Sequence, residues 1–237
     1  MYRTLVCFVF ACLAATGLPA AEPLRVLFVG NSYTYYSEMP SIVAAMGKRA
    51  KVPFEVEMIA GPGATLEGHV ADGTVVAALD RADWDVVVLQ EQSLRPLEDR
   101  ERMFGAVRAL DQAIDAEGAR LVLFQTWARR DYPDMAAPLE AAYTTIAAEV
   151  GGTVAPVGAV WQKVRQRAPE LPIFDADGSH PSVVGSYLTA CVLYVAIAEP
   201  KKAQCPVVSV EGVPLEVAAQ ITRLVSAEMK AQRGGGK

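Results

Sequence analysis

Histidine is nearly missing from this chain: its 237 residues contain two, His69 and His180. Neither stands in a recognisable zinc-ligand spacing, so no metal centre is expected. Basic stripes interleaved with aromatics are missing as well. With a formal net charge of −5, nucleic acid is not an expected partner. After the N-terminal stretch no apolar run reaches membrane length, so no span is expected in the mature chain. The phosphate-binding signatures are also absent. "GNSYTY", residues 30–35, lacks the second and third glycines of a dinucleotide loop and the Gly-Lys-Ser/Thr of a P-loop. Thr34 stands where the Gly-x-Ser-x-Gly elbow of α/β-hydrolases needs its second glycine.

Cysteine is scarce too, with four in all. Two of them, Cys7 and Cys12, fall in the opening "MYRTLVCFVFACLAATGLPAAEP". One arginine, a short apolar stretch and a small-residue exit at Pro19-Ala20-Ala21 form the pattern of a secretory signal. Residues 1–21 are therefore expected to be removed, which implies a periplasmic or secreted protein; the alternative is a retained N-terminal anchor. Cys191 and Cys205 remain, in a compartment that permits a disulfide. Cys191 lies in an apolar helical pattern, so a bridge and a buried thiol are both open readings. The tail 232–237, within "AQRGGGK", reads as a disordered end.

What the sequence does contain is alternation. "LRVLFVG" (24–30), "WDVVVLQ" (84–90) and "RLVLFQTW" (120–127) are apolar runs that suit strands buried on both faces. "FEVEMIA" (54–60) alternates polar and apolar residues, as an edge strand does, and "TVAPVG" (153–158) is a weak fifth strand. Stretches with helical spacing separate them, including one over 66–81. Strands alternating with helices predict a single α/β domain over 22–231. It is expected as a three-layer α/β/α sandwich around a parallel five-stranded sheet in the flavodoxin-like order 2-1-3-4-5.

Ligands bind at the carboxyl ends of such strands. Those ends carry Gly30-Asn31-Ser32, Gly61-Pro62-Gly63, Gln90-Glu91-Gln92-Ser93 and Gln125-Thr126-Trp127. Ser32 is a nucleophile only if a base takes its proton. His180, in "DADGSHPS", has Asp177 three residues before it, a spacing that lets a carboxylate hold Nδ1 and aim Nε2 outward. Asp175 is a second carboxylate on the same loop, and Asp177 and Ser179 also read as turn and capping residues. Gly63 offers an unobstructed N–H and the glutamines after strand 3 offer amide N–H groups for a developing oxyanion. Asn31, Tyr33 and Trp127 are candidate substrate contacts. Tyr33, Tyr35 and Tyr36 either line a sugar-binding cleft or pack beneath the loop. His69 reads as a structural histidine.

These residues resemble those of the SGNH hydrolases, the GDSL-like esterases, over nearly all of the mature length. "VGNSYT" matches the block that holds the nucleophilic serine, "AGPGATLEGH" the oxyanion-glycine block, and "DGSHP" the Asp-x-x-His block before the last helix. The third block departs from the family pattern: Gly-x-Asn is replaced by "LQEQS", with Gln92 at the asparagine position and Gln90 at the glycine position. The resemblance implies a serine esterase with Ser32, His180 and Asp177 as triad. The N–H groups of Ser32 and Gly63 and a glutamine amide would form its oxyanion hole. Block position favours Gln92, with Gln90 the alternative. No metal or organic cofactor is implied, and the implied substrates are small-molecule or carbohydrate acyl esters, with lipids and thioesters after them. The rival readings are a non-catalytic ligand-binding module on the same fold and a flavodoxin-like nucleotide binder.

Overall fold

The computed structural model of the chain describes residues 22–201 and 203–234. The expected signal, residues 1–21, lies outside the described residues. In chain order the elements are β1 (Leu24–Gly30), α1 (Ser32–Tyr35), α2 (Met39–Ala50), β2 (Phe54–Ala60), α3 (Leu66–Asp72), α4 (Thr74–Arg81), β3 (Val86–Leu89) and α5 (Arg95–Glu98). There follow α6 (Arg100–Ala116), β4 (Arg120–Phe124), α7 (Ala136–Val150), β5 (Thr153–Ala155), α8 (Val157–Arg167), α9 (Val183–Ala198) and α10 (Leu215–Gly234).

The five strands form one sheet in the order β2-β1-β3-β4-β5, every neighbouring pair parallel, as the sequence pattern predicts. Successive residues of a strand face opposite sides. Val26 and Phe28 of β1 accordingly enter the core formed with α2, α8, α9 and α10, whereas Leu27 and Val29 enter the one formed with α3, α4, α6 and α7. Two apolar faces on one sheet require two helical layers, which is the three-layer sandwich. β2 has one neighbour, and Glu55, Glu57 and Met58 on it are exposed. Helix α9 is apolar all round because it is covered all round: Val184 to Ile197 are buried.

Some boundaries differ from the sequence reading. The helix expected over 66–81 is two helices, because Gly73 adopts φ 70° and the Asp72 carboxylate accepts from Thr74 N–H at 2.9 Å. β3 begins at Val86 rather than 84, since Trp84 turns its indole N–H to the Ala78 carbonyl at 2.9 Å. β4 ends at Phe124 rather than 127, and β5 ends at Ala155, where Pro156 caps α8. The tail was expected from 232, yet α10 runs on to Gly234. The Arg233 guanidinium ties its last turn to the Pro200 carbonyl at 2.8 Å.

Cys191 and Cys205 form a disulfide, with Cα atoms 5.4 Å apart. It tethers the segment before α10 to the middle of α9. Among the described residues, no helix is long and apolar enough to cross a membrane.

Candidate active site

The site forms where β1 ends. A Cβ on Gly30 would meet Thr34 Oγ1 at 2.4 Å and Gln90 Oε1 at 2.6 Å, so only glycine admits both side chains there. The Gln90 amide is fully buried beneath the turn. Its Oε1 accepts from Asn31 N–H at 2.9 Å and from the Thr34 hydroxyl at 2.8 Å, and its Nε2 donates to the Glu91 carbonyl at 2.6 Å. His69 donates from Nε2 to the Gly30 carbonyl at 2.8 Å, the structural role expected of it. Asn31 Oδ1 caps the Tyr33 N–H at 3.1 Å, and its Nδ2 reaches the Ala64 carbonyl at 2.9 Å. A polar network thus fixes the turn, and Ser32 begins α1 with its side chain half-buried at the cleft.

The opposite wall comes from the loop before α9. Asp177 Oδ1 accepts from the N–H groups of Ser179 and His180, each at 2.9 Å, which makes the loop a tight turn. Its other oxygen lies 2.5 Å from His180 Nδ1, and His180 Nε2 lies 2.9 Å from Ser32 Oγ. Asp175 turns instead to the Ala176 N–H at 2.7 Å, so it is not the partner of the histidine. Ser179 anchors the loop: its carbonyl accepts from the Trp127 indole at 3.0 Å, and its hydroxyl lies 2.7 Å from Tyr33 OH. Burial works against ionisation of Asp177. The hydrogen bonds from His180 and from the Ser179 and His180 amides outweigh it and bring the carboxyl down to about 2.

Ser32, Gly63 and Gln92 all border the cleft. Among the described residues, no acceptor pairs with the N–H of Ser32 or of Gly63. Gly63 adopts φ 64°, and a Cβ there would meet nothing within 4 Å; the left-handed backbone, not crowding, selects glycine. Gln92 also lines the cleft. Its Oε1 is fixed by the N–H groups of Leu94 at 2.8 Å and Arg95 at 3.0 Å, which leaves Nε2 as the end able to donate to a ligand. Glu91 joins the two loops that carry these donors. One carboxyl oxygen accepts from Gln92 N–H at 2.6 Å and from Leu66 N–H at 3.2 Å. Burial raises this carboxyl to about 7, against the pull of those two hydrogen bonds.

Three sequence expectations need correction. Gln90 is not an oxyanion donor, because its amide is consumed in bracing the turn. Trp127 is not a substrate contact: it is 1% exposed, stacked between Tyr33 and Trp161 with centroids 4.4 and 4.0 Å away. Asn31 and Tyr33 do border the cleft, but their polar groups are engaged within the protein, so they hold the site rather than grip a ligand. Of the two readings of Tyr36, cleft lining or packing beneath the loop, the structure gives the first, and its ring also stacks on His180 with centroids 4.5 Å apart. Arg129, which also lines the cleft, was missed. It lies two residues beyond Trp127 in a run of polar loop residues that has no periodic signal.

The assembled groups form a cleft of about 370 Å³ bearing a hydroxyl, an oriented imidazole and clustered N–H donors. That set can add a serine to an acyl carbon and hold the charge that develops on its oxygen. Among the described residues, no group of three or more side chains is placed to hold a metal ion.

No protein-family model matches the chain, and no curated protein does so in sequence. Solved structures do match. A protein of Slackia heliotrinireducens assigned to the SGNH hydrolases is 31% identical, over 74% of this chain and 100% of its own, with a TM-score of 0.67. A DUF4886 family protein from Bacteroides uniformis ATCC 8492 is 19% identical over 88% of this chain and 95% of its own, with a TM-score of 0.72. The acetyl xylan esterase AlAXEase is 14% identical over 73% of this chain and 100% of its own, with a TM-score of 0.61. The last two share the fold.

Proposed function

This chain belongs to the SGNH hydrolases, and we propose that it is an exported serine esterase that removes small acyl groups, above all O-acetyl groups on carbohydrates. The observation that carries this reading is the continuous relay from Asp177 Oδ2 through the His180 ring to Ser32 Oγ, at 2.5 and 2.9 Å.

In the proposed reaction His180 Nε2 takes the Ser32 proton as Oγ bonds to the acyl carbon. The carbonyl π electrons move to oxygen, and the N–H groups of Ser32 and Gly63 and the Gln92 amide stabilise that oxyanion. Collapse breaks the bond to the alcohol, which leaves with the proton returned by His180. Water then repeats the sequence on the acyl-enzyme, releasing the carboxylic acid and restoring Ser32. Asp177 stays ionised throughout and keeps the imidazole in the tautomer with Nε2 free.

The small cleft suits a short acyl group, and an acetyl xylan esterase is among the similar folds. Export rests on the signal pattern of residues 1–21, with the Cys191–Cys205 disulfide as a second support. Purified protein should hydrolyse 4-nitrophenyl acetate and acetylated sugars, and Ser32→Ala should abolish both activities. Undiminished hydrolysis by that variant would remove Ser32 from the chemistry; ligand binding without turnover by the wild type would favour a binding module.

A further inference from the structure

The proposed chemistry leaves one charged group of the cleft unused. Arg129 follows β4 in a loop fixed by the bond from Arg130 N–H to the Gly178 carbonyl, 2.8 Å. Arg129 borders the same cleft as Ser32, Gly63, Gln92 and His180. One terminal nitrogen donates to Ser93 Oγ at 3.3 Å, while the buried Nε has no hydrogen-bond partner. Among the described residues no carboxylate lies within ion-pair distance of Arg129, and no aspartate or glutamate lines the cleft.

Several other arginines have carboxylate partners. Arg95 pairs with Glu67 and Asp99, Arg108 with Glu149, and Arg120 with Glu199. Arg130 and Arg165, outside the cleft, donate to backbone carbonyls and stack on Phe174, although Arg165 Nη1 is also buried without a partner. A guanidinium has five donors in a planar fork that fits a carboxylate with two parallel bonds. Leaving such donors short of partners in a half-buried site is costly unless a ligand supplies acceptors. In a chain of net charge −5, a cation without a counter-charge is also the local attractor for an anion.

We infer that Arg129 makes this an anion-selective site, whose ester substrate carries a carboxylate held by the Arg129 fork beside the scissile bond. This rests on the esterase reading and narrows its substrate class. The carboxylate belongs either to the alcohol, as in an acetylated uronic acid, or to the acyl group, as in a hemisuccinate.

Two isosteric pairs separate those sources: methyl O-acetyl-glucuronide against methyl O-acetyl-glucoside, and 4-nitrophenyl hemisuccinate against 4-nitrophenyl butyrate. In one pair the wild-type kcat/KM ratio, anionic over neutral, should exceed unity and fall with added salt. It should drop about tenfold or more in Arg129→Gln, with Arg129→Lys intermediate. A ratio is independent of the fraction of variant that folds. Ratios below unity in both pairs, or unchanged by Arg129→Gln, overturn the inference. Calorimetric titration of Ser32→Ala, with and without Arg129→Gln, using glucuronate and glucose, reads the anion site without turnover. An Arg129-dependent preference for glucuronate in a protein that cleaves no ester upholds the anion site and sinks the esterase reading. Cleavage of neutral esters with no Arg129-dependent preference does the reverse.

Discussion

Tyr36 lies face to face with His180, the ring centroids 4.5 Å apart and the planes inclined by 13°. The imidazole is thus held from two directions, by the Asp177 carboxylate in its plane and by the phenol ring across its face. Stacked aromatic pairs contribute about 0.5–1.5 kcal/mol beyond buried area, so Tyr36→Ala should cost roughly 3- to 10-fold in kcat/KM. Tyr36→Phe keeps the stack and should retain most of the rate. Equal losses in both variants on a short nitrophenyl ester would assign the effect to the hydroxyl instead.

The two glutamines should fail in different ways. In the proposed mechanism Gln92→Ala removes a donor to the oxyanion, and it should reduce kcat on the order of 10²-fold with little change in melting temperature. Gln90→Ala strips the buried Asn31 N–H and Thr34 hydroxyl of their acceptor, at about 1–3 kcal/mol of stability. Thermal unfolding beside kinetics on both variants makes the distinction. A large kcat loss without destabilisation in Gln90→Ala would reverse the assignment.

Asp177 is ionised at every working pH, because its carboxyl is held down to about 2. Protonation of Asp177 therefore contributes no acid limb to kcat/KM over that range. Asp177→Asn should cost roughly 10³- to 10⁴-fold, the loss expected when the wrong tautomer is favoured. A pH–rate profile with near-normal amplitude in this variant would show that no carboxylate supports His180.

Glu91 predicts a stability slope of opposite origin. Folded, its proton is held to about pH 7; unfolded, it leaves near the ordinary value of 4.5. Between those values the native state binds more protons, so stability falls as the pH rises through that window. Glu91→Gln keeps an acceptor for Gln92 and Leu66 and cannot ionise. Between about pH 4 and pH 8 its stability relative to wild type should improve by roughly 1–3 kcal/mol. Denaturation curves that shift in parallel across this range would rule the buried carboxyl out as the cause.

Removing the bridge with Cys191→Ser and Cys205→Ser reopens a loop of sequence separation 14, worth about 3 kcal/mol in the chain-entropy account. Calorimetry should show a lower melting temperature, and mild reductant should lower it likewise in the wild type. Identical melting in both states would mean that the bridge adds nothing to the fold.

The sheet was legible because its strands are short apolar runs of β-branched residues, and the edge position of β2 because its residues alternate. Ser32, Asp177 and His180 were legible because each is a local pattern: a polar residue directly after a strand, and a carboxylate three residues before a histidine. What was not legible depends on distant partners. Trp127 reads as the end of an apolar run and thus as a strand-end contact. It is buried only because Tyr33 and Trp161, far away in sequence, sandwich it. Gln90 and Gln92 are chemically identical on paper, and what divides them is Thr34, which lies under one and not the other. Arg129 carries no pattern at all; its place in the cleft follows from the loop that Gly178 holds.

Asp177 and His180 sit three residues apart on one turn, whereas Ser32 and His180 are separated by 148 residues. One half of the relay is therefore assembled locally, at small cost in loop closure, and the other half only by the most distant docking event in the site. In a chain emerging from the ribosome, Ser32 is made long before His180, the base of the proposed reaction. In that reaction the hydroxyl has no activating partner until the C-terminal quarter folds onto the sheet. The onset of activity during refolding should consequently report the seating of the His180 turn against Tyr33 and Trp127, not the formation of the strand that bears the serine.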